Sequence, residues 1–144
     1  MDTKPNADVH VDHVFSESPA RVFDAWTSVD GIRQWFFPPT DEHLITTADA
    51  KVGGRFNFTV SREGQVIEHS GTYSVVDRPR RLTFTWELPK FSDYKGRVII
   101  SITAIGTGSK LSLIHEDIRE EYYDKTKRGW MSILERLDNY FQTI

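Results

Sequence analysis

Lys127–Phe141 reads KRGWMSILERLDNYF. Counting from Tyr123, the apolar residues Trp130, Leu134, Leu137 and Phe141 follow at spacings of seven, four, three and four, which is one face of an α-helix. Gly129 stands inside this segment, directly before Trp130. Glycine in a helix interior costs about 1 kcal/mol relative to alanine. Its presence beside an inward tryptophan is read as letting the backbone approach the sheet, leaving room beneath the helix or permitting a bend, with an incidental surface glycine as the alternative.

What the helix packs against is written in the residues before it. Asp8–Phe15 (DVHVDHVF) alternates, with Val9, Val11, His13 and Phe15 on one face. Phe56, Phe58 and Val60 alternate with Asn57, Thr59 and Ser61. His69, Gly71, Tyr73 and Val75 share a face, as do Leu82, Phe84 and Trp86. A hairpin around Gly106–Gly108 puts Leu111, Leu113 and His115 together, Gly64 marks another turn, and HLITTAD is a short edge strand. Alternation of this kind describes a sheet with one wet face and one covered face. Between the first two strands, Ser18-Pro19 has the N-cap and first-turn signature of a helix, with Val22, Phe23 and Trp26 as its stripe. SVDGIRQWF gives a second short helix, closed by Pro38-Pro39. The expected fold is α+β: a curved antiparallel sheet of six or seven strands wrapped around a long C-terminal helix, with two short helices after the first strand. Residues 8–144 form one domain behind a flexible segment over residues 1–7.

Composition narrows the function. The chain has 144 residues, enough to bury roughly two thirds of its unfolded surface. It has no cysteine, which excludes disulfides, thiolate metal sites and cysteine nucleophiles. A net charge of −3 with scattered signs lacks the basic stripe of a nucleic-acid binder. The first twenty residues lack the apolar run of a signal peptide, and no stretch approaches the ~20 apolar residues of a membrane span. A cytoplasmic location is expected.

SPARVFDAWTSVDGIRQWF, KVGGRFNF, GTYSVVDRPRRLTFTW, GTGSKLSLIHE and RGWMSILERLDNYF occur in an order and spacing that resembles the Hsp90-ATPase-activator-homologue (AHSA1-like) family, part of the START-like (SRPBCC) superfamily of helix-grip folds. The resemblance covers Val9 to Phe141. It implies a largely apolar cavity between the sheet and the long helix. The superfamily's activities span lipid and hormone binding, cyclase and aromatase chemistry, and chaperone activation. The chaperone activators carry a further N-terminal domain, which is not expected here because the first strand begins at Asp8.

The inward positions supply the walls of such a cavity: Phe56, Phe58, Phe84 and Trp86 from the sheet, Tyr123, Trp130 and Leu134 from the helix, and Trp35 and Phe36 closing one end. The alternative is that these rings simply fill the core. His13, His69 and His115 fall on inward parity in three strands. Each is either a core residue satisfied by a backbone carbonyl or a tyrosine hydroxyl, or a group that orients a ligand or moves a proton. With the first and last strands adjacent in the resembled fold, His13 and His115 are expected close together and His69 several strands away. His10 and His13 are three apart on a strand, so they face opposite ways and form no metal pair. Tyr73 is the remaining inward polar group, and Glu87 is expected to face solvent. No metal site, cofactor, Ser–His–Asp set or carboxylate pair emerges. The leading expectation is binding of a small hydrophobic or amphipathic molecule. A chaperone-related or stress-related protein-interaction module is the alternative, and a cyclase or aromatase using His115, His13 or Tyr73 the third. The assembly is expected to be a monomer or homodimer.

Overall fold

A computed structural model describes residues 6–144. Seven strands and three helices follow in the order β1 (Ala7–Phe15), α1 (Pro19–Thr27), α2 (Val29–Trp35), β2 (Glu42–Ala48), β3 (Arg55–Arg62), β4 (Gln65–Asp77), β5 (Arg81–Glu87), β6 (Lys95–Ile105), β7 (Gly108–Ile118) and α3 (Glu120–Thr143). The strands form one antiparallel sheet in the order β1-β7-β6-β5-β4-β3-β2. β1 therefore lies beside β7, while β2 and β1 are the two free edges. Of the segment expected to be flexible, residues 1–5 lie outside the described residues, and Ala7 already pairs with Ile118.

Local chemistry sets the short elements. The Ser18 hydroxyl accepts from the Arg21 N–H and caps α1, with Pro19 in its first turn. Ser28 repeats the device for α2, accepting from the Gly31 N–H at 3.1 Å. Arg136 of α3 donates to the carbonyls of Trp35 and Phe36, at 3.2 and 2.8 Å, and so closes the otherwise open C-terminal end of α2. Arg62 on β3 grips the Asp41 carboxylate with two hydrogen bonds, 2.9 and 2.6 Å, which fixes the connection from α2 into β2. That pairing holds the Asp41 carboxyl below the usual carboxylate range.

α3 buries Trp130, Leu134, Leu137 and Phe141, as its stripe predicts. Each such side chain contributes roughly 1.5–3 kcal/mol by leaving water. Gly129 departs from the sequence reading. It is solvent-exposed, and a Cβ built on it meets nothing within 4 Å. It neither admits the backbone to the sheet nor leaves space under the helix. The helical phase carries the reason: Gly129 stands about 100° from Trp130 around the axis, on the flank of the stripe.

Two substitutions on α3 should act with opposite signs. Gly129→Ala is expected to stabilise the fold by up to about 1 kcal/mol, since the methyl meets no neighbour and helix propensity improves. Leu137→Ala should cost about 2–5 kcal/mol by opening a cavity at a fully buried position. Urea denaturation of the two variants against the parent measures both.

Candidate functional site

Strand pairing assembles the inner face of the sheet in rows. Tyr73 opposes Phe84, Phe84 opposes Val98, Val98 opposes His115, and His115 opposes Val9. These residues form a single line across five strands. Phe56 and Phe58 of β3 extend the wall, their rings 4.8 Å apart, and Phe56 reaches Phe84 at 5.6 Å and Trp86 at 5.9 Å. Gly71 makes this possible: a Cβ there would lie 2.5 Å from the Phe56 ring, so no side chain fits between β4 and that ring. Phe36, just past α2, meets Phe58, Trp86 and Trp130 at 5.6, 5.7 and 6.3 Å.

Phe36, Phe56, Phe58, Tyr73, Phe84 and Trp86 thus converge on one small space, joined by Trp26 and Leu82. That space measures about 10 Å³, room for about one water molecule. Trp26 and Leu82 read from sequence as a helix stripe residue and an inward strand residue; no motif marks them as cavity wall. The other sequence-selected residues sit outside this space. Trp35 lies behind Trp26 at 5.0 Å and donates its indole N–H to the Ala25 carbonyl. Tyr123 is half-buried at the start of α3. Leu134 is fully buried and faces β1.

His69 packs between Phe37 and Trp86, each 5.1 Å away, and its Nδ1–H donates to the Phe58 carbonyl at 2.9 Å. Burial lowers its pKa. The Trp130 indole N–H donates to Nδ1 of His115 at 3.0 Å. The neutral His115 ring therefore carries its proton on Nε2, which is buried without a partner among the described residues. Burial pushes the His115 pKa down to about 4. The indole N–H of Trp26 is likewise buried and unpartnered. Both rings touch Trp130, His115 at 5.8 Å and Trp26 at 6.5 Å. Tyr73 stays a protonated phenol, its pKa raised to about 12 by burial.

His13 and His115 are not neighbours, although their strands are. His13 opposes Leu111, four residues along from the Val9–His115 pair, a separation of about 13 Å. Its Nε2 instead meets the Asp138 carboxylate of α3 at 2.8 Å. Tyr73 lies three strands from His115, about 14 Å away. The three groups therefore do not converge on one reacting atom. Glu87 is on the outer face, as alternation requires, but its side chain is only 12% exposed, held by the Thr85 hydroxyl at 2.7 Å and lying near Arg55.

The depressed His115 and His69 values fix a pH dependence. The unfolded chain takes up protons on these rings below about pH 6.5, while the folded protein does not until its lower pKa is reached. Stability is therefore fully present above about pH 6.5 and falls between there and about pH 4, with His115 contributing up to about 3 kcal/mol of the loss. Chemical denaturation at a series of pH values should show this slope, and His115→Gln, which keeps an acceptor for Trp130, should flatten it.

Three solved structures share this architecture across nearly their whole length. A Chromobacterium violaceum protein superposes with a TM-score of 0.82 at 22% identity, covering 93% of this chain and 96% of its own. A Staphylococcus aureus protein of unknown function gives 0.83 at 20%, over 99% and 96%. An AHSA1-like protein from Aeromonas hydrophila gives 0.81 at 20%, over 94% and 92%. At such identities the likeness speaks for the fold alone. No curated protein matches the sequence. A family profile does, over residues 16–142: the chain belongs to the family of activator of Hsp90 ATPase homolog 1-like proteins.

Proposed function

We propose that this protein binds a small apolar or amphipathic molecule between the inner face of the sheet and α3. The observation that carries this reading is the pair of buried, unpartnered N–H groups, Trp26 Nε1 and His115 Nε2, placed among aromatic rings around Trp130. Leaving such a donor unpaired costs about 1–3 kcal/mol, and few buried polar groups in folded proteins are left that way. A guest with an aromatic or aliphatic body and a carbonyl, ether or phenolic oxygen would supply the missing acceptor. Membership of a helix-grip family supports binding in general and names no ligand.

The space of about 10 Å³ is far smaller than such a guest. Entry therefore requires the rings around that space to part, so the binding-competent state is a minor one and the apparent affinity is reduced by its population. His115 acts as a neutral donor near pH 7, because burial holds its pKa near 4. The cyclase or aromatase alternative needs an acid and a base at one atom, and the separation of His115 from Tyr73 and His13 favours binding over it.

Native mass spectrometry of freshly purified protein, repeated after denaturation, tests the reading directly. The expected result is an added mass that disappears on unfolding. In parallel, oxygen-bearing aromatic compounds should raise the melting temperature more than hydrocarbons of equal size, with about 1.4 kcal/mol of stabilisation at ten times Kd. His115→Leu should remove the advantage of the oxygen. A bare polypeptide mass in both spectra, together with no thermal shift from any compound, would overturn the proposal.

A further inference from the structure

An open groove of about 270 Å³ runs between β1 and α3. On the strand side it touches four consecutive residues, 10–13. Consecutive strand residues point to opposite faces, so a groove that meets all four follows the free edge of the strand. β1 ends the sheet, and alternate N–H and C=O groups along that edge have no strand to pair with. The other edge is different. β2 is broken by a register shift between His43 and Ile45, a bulge of the kind that blunts an edge. β1 has a shift between Ala7 and Val9 but runs in unbroken register from Val9 to Phe15, and like β2 it carries no proline, lysine or arginine.

The helix side presents Lys127, Met131 and Glu135, spaced by four and therefore in one row. Met131 is 44% exposed. Neither Lys127 nor Glu135 has an ion-pair partner among the described residues, and their Cα positions lie about 12 Å apart along the axis. A positive end, an apolar middle and a negative end form a pattern that a half-turn about Met131 maps onto its own complement. His10 and Asp12 flank Val11 on the outer face and are bonded to each other at 2.8 Å, with Asp12 also accepting from the Ser112 hydroxyl. A half-turn about Val11 pairs β1 antiparallel with its copy. The two centres, Val11 and Met131, stand on facing walls of the same groove.

We propose that the occupant of this edge is a second copy of the chain, with β1 pairing antiparallel to the partner's β1 about Val11 and Lys127 facing the partner's Glu135 across Met131. The two sheets then continue into one another around a twofold axis, so every contact occurs twice. Backbone pairing alone does not choose a register, and the Lys127–Glu135 pairs do. Sliding by one step of the pleat in either direction would carry each Lys127 out of line with the partner's Glu135 and weaken both pairs.

Sedimentation velocity over a concentration series, at low and high salt, tests the pairing. The expected result is a reversible dimer that weakens with salt. Lys127→Glu and Glu135→Lys should each weaken it by about tenfold, because each sets two like charges face to face twice over. The double variant carrying both changes restores opposite charges and should recover the parental constant. Far-UV circular dichroism of each variant separates lost pairing from lost folding. A monomer at every attainable concentration would overturn the proposal, including one whose groove accepts an added extended peptide instead. So would a dimer that ignores both single reversals, or one that the double reversal fails to rescue.

Discussion

Trp130 is the contact on which the remaining layers depend. Its ring meets Trp26 of α1, Phe36 at the end of α2, Trp86 of β5 and His115 of β7. One side chain from α3 thereby joins both short helices to two separate strands. A sheet this curved cannot bury its concave face against a helix by aliphatic packing alone unless something fills the widest point, and here the filler is the largest side chain available. Leu134, Leu137 and Phe141 then follow down the stripe, where α3 approaches β1.

Polar groups divide by location. At the rim they are used for construction and are satisfied: Arg136 on the carbonyls ending α2, Arg62 on Asp41, Arg78 on Asp24. Each ties a segment without regular structure to a strand or helix that has it. In the interior the balance differs, since Trp26 and His115 keep an N–H with no acceptor among the described residues.

The sequence made the architecture legible because period and parity are local properties. Val9, Val11 and Phe15 are buried on the face that alternation assigned them, Ser18 caps α1, and the stripe from Trp130 to Phe141 is buried throughout. What failed is non-local. The expected meeting of His13 and His115 depended on the register of β1 against β7, which joins the two ends of the chain and follows from no local turn. Gly129 is a different case: its angular phase puts it off the stripe, at an exposed position, so the surface alternative holds. The room left among Trp26, Phe36 and the rings of β3–β5 depends on how side chains from several elements interlock, and no spacing in the sequence encodes that volume.

The four tryptophans are linked to one another by ring contacts. Trp35 lies 5.0 Å from Trp26, Trp26 lies 6.5 Å from Trp130, and Trp130 lies 5.4 Å from Trp86. They form an unbroken chain of indoles from α2 through α1 and α3 to the sheet. Anything that separates α3 from the sheet breaks the Trp26–Trp130 and Trp130–Trp86 contacts, and so changes the surroundings of three of the four indoles at once.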